Sequence, residues 1–282
     1  MAYRVTDRFS IGAGVNAQYA DARLTSAVDF GATCFSQLDP MACASLGLTP
    51  QAADGRAVAE GDDWSYGWNA GILWSPHPDW SIGVNHRSGI DHELDGSARF
   101  DAPIQAMPLT MNGAFAETAV TAGLDLPAST ELGVKWAATD QLRVYADMIW
   151  TDWSSLEALE LDYENPAQPN SVEELNYQDA GRYSLGLDYE VFPNWTLRGG
   201  YAFDESPVQP NSRSARIPDN DRHVFALGTS WDAFDTWSVD VGYNRIEIED
   251  VEFAQTGRFG DQVIGDYTGS ADIVMLGFRK SF

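Results

Sequence analysis

Residues 179–231 read DAGRYSLGLDYEVFPNWTLRGGYAFDESPVQPNSRSARIPDNDRHVFALGTSW. Tyr183, Leu185, Leu187, Tyr189 and Val191 are apolar, and Arg182, Ser184, Gly186, Asp188 and Glu190 stand between them. A strand sends successive side chains to opposite faces, so this pattern makes one greasy face and one polar face. Phe192-Pro193-Asn194 breaks the run with turn chemistry. Trp195, Leu197, Tyr201 and Phe203 then alternate with Thr196, Arg198, Gly200 and Ala202. A Pro-rich, charged segment follows, and Phe225, Leu227 and Trp231 alternate again beyond it. Strand, tight turn, strand, long polar loop, strand is the order of an antiparallel transmembrane β-barrel.

The same pattern runs outward through all 282 residues. Phe9, Ile11, Ala13, Val15, Ala17 and Tyr19 share one face of a first strand. Gly12-Ala13-Gly14-Val15-Asn16-Ala17 matches the dinucleotide fingerprint in form only, because alternation continues through it where a strand-to-helix turn is required. Trp64, Tyr66, Trp68, Ile72 and Trp74 form the next apolar set, Pro76-His77-Pro78-Asp79 turns the chain, and Trp80, Ile82 and Val84 begin the return, which extends towards Phe100. Leu132, Val134 and Trp136 precede the turn Ala138-Thr139-Asp140; Leu142, Val144, Ala146, Met148 and Trp150 follow it. After a turn at 232–236, Trp237, Val239, Val241 and Tyr243 alternate with polar residues, and Val274, Leu276, Phe278 and Phe282 share a parity in the last strand. Residues 24–63, 101–128, 156–178, 204–221 and 250–269 read as long loops.

Two regularities select a barrel over a soluble sandwich. Connections alternate short and long, as in bacterial barrels. An aromatic enters successive strands at one height, as in Phe9-Ser10-Ile11-Gly12, Trp80-Ser81-Ile82-Gly83, Trp195-Thr196-Leu197 and Trp237-Ser238-Val239, which is an interfacial girdle. The expectation is all-β, with about ten strands and both chain ends on the short-turn side.

Composition agrees. The net charge is −25 and apolar residues make up 44%. No run approaches the ~18 apolar residues of a membrane helix, whereas a barrel strand carries only half that density. The acid excess argues against nucleic acid, which needs clustered cations. No cofactor motif is present, and two cysteines alone cannot build a zinc site. Cys34 and Cys43 lie nine positions apart in one loop. In an oxidising envelope compartment they can staple it, the alternative being two free thiols. Met1-Ala2-Tyr3-Arg4 leads into a strand without an apolar signal-peptide core. We expect that the chain lacks its natural N-terminus.

Several motifs carry a family resemblance. They are Gly61-Asp62-Asp63-Trp64-Ser65-Tyr66-Gly67-Trp68-Asn69-Ala70-Gly71, His86-Arg87-Ser88, and Trp150-Thr151-Asp152-Trp153-Ser154. The strongest are Tyr201-Ala202-Phe203-Asp204-Glu205-Ser206-Pro207-Val208 and Arg216-Ile217-Pro218-Asp219-Asn220-Asp221-Arg222. On these the chain resembles the FadL family, outer-membrane transporters of long-chain fatty acids and other hydrophobic compounds. The resemblance implies a bacterial outer-membrane barrel of about fourteen strands, plugged by an N-terminal hatch and opening sideways by a kinked early strand. Residues 1–282 would be the C-terminal part of that single domain, with hatch and first strands missing. It also implies a monomer among outer-membrane lipid and lipopolysaccharide, with no cofactor.

A long-chain fatty acid needs an apolar groove and a cation or donor for its carboxylate. The outer loops supply apolar patches at Leu46 and Leu48, and at Met107, Leu109, Met111 and Phe115. Arg182, Arg213, Arg216 and Arg222 are candidate head-group contacts; the alternative is pairing with Asp204, Asp219 or Asp221. Where the family can place a lysine before an Asp-Ala pair, this chain has Gln178 before Asp179-Ala180, which leaves room for a neutral hydrophobic ligand. Other readings are a nonspecific porin or a surface adhesin. An enzyme is disfavoured: His223 lies near Asp219 and Asp221 in sequence, but a relay also needs a placed nucleophile. Asp219 and Asp221 do not complete a calcium-loop spacing.

Overall fold

A computed structural model describes residues 1–233, 236–257, 260 and 262–280. Fifteen strands form one antiparallel sheet among these residues. In chain order they are β1 Ala2–Thr6, β2 Phe9–Asp29, β3 Asp54–Trp74, β4 Trp80–Arg87, β5 Ile90–Asp101, β6 Thr118–Leu126, β7 Ser129–Ala137 and β8 Leu142–Thr151. Then come β9 Ala158–Tyr163, β10 Ser171–Glu174, β11 Ala180–Phe192, β12 Trp195–Asp204, β13 Arg222–Ala233, β14 Trp237–Thr256 and β15 Gln262–Lys280. Three short helices lie in the loops: α1 Phe30–Gln37, α2 Pro40–Ser45 and α3 Met107–Thr110.

The wall runs β1-β2-β3-β4-β7-β8-β11-β12-β13-β14-β15. Apart from the short β1, these are ten crossings. No described ladder joins β1 to β15. At β3 the sheet forks. Its lower half, from Asn69 to Trp74, pairs with β4, and its upper half, from Arg56 to Asp62, pairs with β5. Between them Ser88 N–H donates to the Trp68 carbonyl and Trp68 N–H donates to Ser88 Oγ, both at 2.9 Å. Strands β5, β6, β9 and β10 continue the fork as a small sheet above the wall.

The two faces follow the alternation. Trp68, Leu185, Leu227 and Val241 are exposed on the outside, as lipid contact requires. Directly paired aromatics mark the two interfaces: Trp80 with Trp136 at 5.5 Å between centroids and Trp195 with Trp231 at 6.4 Å near the short turns, Tyr19 with Trp64 at 5.4 Å near the loops. Arg245 and Asp272, 2.7 Å apart, form a pair on the outer parity, while the inner face carries a charged cluster. Asp188 accepts a hydrogen bond from Tyr145 Oη at 2.9 Å and lies 3.4 Å from Arg198 Nε; Arg198 is 3.8 Å from Asp240, and Ser230 bridges the two. Four directly opposed glycine pairs, Gly12 with Gly71, Gly83 with Gly133, Gly186 with Gly200 and Gly228 with Gly242, share this face.

The structure corrects the loop boundaries. β2 and β3 stay paired up to Asp29 opposite Asp54, so the first loop holds only residues 30–53. β5 ends at Asp101, and the second loop then gives way to β6; the third contains β9 and β10; and β14 and β15 extend to Thr256 and from Gln262. Above the lipid a ladder needs only its backbone bonds, and water tolerates charge on its faces. Arg23 and Arg99 accordingly sit 3.0 and 3.2 Å from Glu60 across three neighbouring strands that rise into solvent. Phe282 lies outside the described residues, as does part of the turn at 232–236.

A candidate apolar groove beneath the outer loops

The first loop folds because its helix ends are capped. Asp29 accepts from Ala32 N at 2.8 Å and from Gln51 N at 2.9 Å; Asp39 accepts from Met41 N and Ala42 N at 3.0 Å, with Pro40 in the first turn of α2. A Cys34–Cys43 disulfide joins α1 to α2, with the Cα atoms 6.0 Å apart. Phe30, Cys34, Cys43, Leu48 and Ala53 pack with Ala106 and Leu109 from the second loop. Leu48 and Leu109 therefore hold the two loops together. Leu46, Met107 and Met111 are exposed, with Met41 and Ile104, and give the loop tips an apolar surface.

Under this surface three cavities follow one another along the inner face of the upper sheet. The first, of about 540 Å³, has a mixed lining in which Val28, Phe100, Phe115 and Tyr163 alternate with polar groups such as Asp29, Asn112 and Gln168. The second, of about 230 Å³, shares Phe100 and Tyr163 and adds Leu24, Ala59, Leu159 and Leu161. The third, of about 190 Å³, shares Leu24, Ala59, Leu159 and Leu161 and ends on Leu94, Val120 and Leu124. Burial raises the Tyr163 phenol above its ordinary pKa, so it stays protonated. Arg216 lines the second cavity and lies 3.6 Å from Glu173. Few of these groove residues were legible as a site. Their signal was the period-two runs Leu159-Leu161-Tyr163 and Val120-Ala122-Leu124, inside segments whose composition reads as loop.

The other arginines separate cleanly. Arg213 donates to the Asp219 carbonyl at 3.0 Å and to Asn220 Oδ1 at 2.6 Å. Arg222 is held by Asp219 and lies 3.6 Å from Asp204. Ser206 completes this clasp through Asp219 and Asp221, each at 2.8 Å. Arg182 differs. It projects from β11 into a separate inner-face cavity of about 750 Å³, and no described residue bonds to its side chain. Its register partner Asp204 is taken by Arg222, and nearby Glu205 accepts from Gly181 N at 2.9 Å. His223 bonds Tyr201 Oη at 2.7 Å and Glu249 at 3.3 Å, away from Asp219 and Asp221. Among the described residues no cluster of three His, Cys, Asp or Glu could hold a metal. Asp179 accepts from Ser154 N at 3.0 Å, and the Ser154 hydrogen bonds hold its carboxyl below the ordinary range.

Comparison with known proteins bears on this arrangement. The family described as outer membrane protein transport protein (OMPP1/FadL/TodX) matches residues 1–282. A long-chain fatty acid transport protein of Escherichia coli is 30% identical over 90% of this chain and 59% of its own length. Outer membrane protein P1 of Haemophilus influenzae is 28% identical over 100% of this chain and 63% of its own. The chain thus spans about three fifths of the curated relatives it matches. The crystal structure of a Pseudomonas aeruginosa FadL homologue superposes with a TM-score of 0.81 at 25% identity, covering 98% of this chain and 65% of that one. With its antiparallel membrane wall, its girdles and this match along its whole length, the chain belongs to the OMPP1/FadL/TodX family of outer-membrane β-barrel proteins.

Proposed function

We propose that the protein takes up hydrophobic compounds through the outer membrane, long-chain fatty acids among them, by passive transfer from the loops through the groove. One observation carries the reading: a groove descends from the apolar loop tips along the inner face, mixed polar and apolar at its head, where Asp29, Asn112 and Gln168 line it, and almost wholly apolar in its third cavity. The apolar walls of the third cavity bind by removing hydrocarbon from water. The exposed patch at Leu46, Met107 and Met111 makes the first contact, and Phe115 stands at the entrance of the groove. Arg213, Arg216 and Arg222 already have partners, so this reading favours Arg182 as a head-group contact at a second station, the separate inner-face cavity that it lines. The chain works as a monomer among outer-membrane lipid and lipopolysaccharide, and the reading assigns it no catalytic step. The relatives named above support uptake at the outer membrane, being described as a long-chain fatty acid transport protein and an outer membrane protein.

The test is saturable oleate binding by the native protein in detergent, unmutated and as Leu161→Glu. A charge in the shared wall of the two lower cavities should abolish binding while the folded barrel persists. A nonspecific porin would give salt-dependent conductance, no saturable binding, and no response to the substitution.

A further inference from the structure

Phe115 holds a backbone conformation that its side chain resists. Its φ is +59°, in the left-handed region that bulky residues rarely adopt. Asn112-Gly113-Ala114 lead into it, with Gly113 at φ +89°. The loop is held by its own bond from Ala114 N to Asn112 Oδ1 at 3.0 Å and from another segment. Phe115 N–H donates to Gln168 Oε1 at 3.0 Å, and Asn165 Nδ2 donates to the Gly113 carbonyl at 2.8 Å. Both clasp residues come from the turn between β9 and β10.

The ring stands where two compartments meet. It lies 4.9 Å from Phe30, in the core of the outer loops, and 5.6 Å from Phe100, at the head of the groove. Phe100 in turn lies 6.0 Å from Tyr163, which lines the first two cavities. A residue that merely filled this space would have no need of a strained backbone, and strain of this kind persists only when the surroundings impose it. Here the imposing contact at Phe115 is one neutral hydrogen bond, a weak restraint.

We propose that Phe115 is the gate that sets the rate of ligand passage between the loop surface and the groove. When the Gln168 bond opens, the backbone relaxes out of the left-handed region and the ring leaves its edge-on place between Phe30 and Phe100. An acyl chain or a neutral hydrocarbon then passes. The inference rests on the uptake reading. A gate acts on entry and exit alike and leaves the affinity unchanged, whereas a wall residue acts on exit.

The experiment is stopped-flow binding of cis-parinaric acid, a fluorescent fatty acid, to the native protein and to Gln168→Ala, Phe115→Gly and Phe115→Ala. Gln168→Ala keeps the ring and removes the clasp. It should raise the entry rate constant by about fivefold, the worth of one ordinary hydrogen bond. Phe115→Gly should raise both rates, since it removes ring and strain together. Phe115→Ala keeps the strained site and reports on the ring alone. Faster exit with unchanged entry would show that the ring is only a wall; unmoved rates in Gln168→Ala would likewise overturn the gate. Both results require saturable binding in the unmutated protein, whose absence would overturn the uptake reading and the gate with it.

Discussion

Leu227→Arg tests the assignment of faces most directly. Leu227 is 66% exposed on the outer face of β13, midway between His223 at the loop end and Trp231 at the short-turn end. Its Cα partners are Gly199 and Tyr243, so no carboxylate lies directly across either seam. It lies four positions from His223 and from Trp231, which leaves a guanidinium no short reach to water. An arginine at the midplane of a barrel's lipid face costs about 2–4 kcal/mol, or roughly 30- to 700-fold in the folded-to-unfolded ratio. Gly228→Ser is the control of opposite parity. A Cβ there would stand 3.4 Å from the Val241 carbonyl oxygen and 3.6 Å from Arg198 Cβ, ordinary contact on the polar inner face. The assay is urea-titrated folding of the native protein into phosphatidylcholine vesicles, followed by tryptophan fluorescence. Leu227→Arg should lower the folded fraction steeply and Gly228→Ser should not. Equal folding of the two variants would refute the assignment of faces.

Thiol labelling of unreduced, denatured protein should leave Cys34 and Cys43 unmodified, and replacing both by serine should destabilise the first loop by about 2.5 kcal/mol, the loop entropy of so short a ring; full labelling would rule out the bond. Arg182→Gln should weaken oleate binding by about 1.5–3 kcal/mol, the scale of a hydrogen bond to a charged group, and leave methyl oleate nearly untouched. Arg222→Gln should instead loosen the 205–221 loop and weaken acid and ester alike, and an acid-selective loss there would reverse the two roles. Asp179 has a lowered pKa, so its clasp on Ser154 is in force above the ordinary aspartate range and is lost as pH falls through the lowered value. Acid should therefore increase proteolysis near Trp153 in the native protein, and Asp179→Asn should already show that cleavage at neutral pH.

What the sequence disclosed depended on how local the cause was. β11 and β12 could be placed nearly to the residue, because lipid on one side and a polar interior on the other enforce alternation at Tyr183, Leu185 and Leu187. That constraint ends at the membrane surface. β9 and β10 were read as loop because Glu157, Glu160 and Glu174 outweigh Leu159 and Leu161 in composition, although strands in water tolerate such residues. The groove was hidden for a different reason. Its walls come from β2, β3, β5, β6 and β9, and only the fork at β3 brings Leu24, Leu94 and Leu161 together. The pairing of Arg222 with Asp219 was foreseeable from their spacing of three. The isolation of Arg182 was not, since it depends on Arg222 reaching Asp204 first.

The opposed glycines bear on calibre. A tube of fixed strand number has a fixed circumference of backbone, and its free bore is what the inward side chains leave over. Where Gly12 meets Gly71, Gly83 meets Gly133, Gly186 meets Gly200 and Gly228 meets Gly242, nothing is subtracted. Adding a strand to widen the tube would mean re-registering its ladders. Removing side chains leaves every rung in place. Width and wall strength, which strand number ties together, are set separately where an added methyl group meets nothing closer than 3.4 Å, as at Gly83, Gly133, Gly186, Gly200 and Gly228, whereas at Gly71 it would press on the Val84 carbonyl at 3.1 Å.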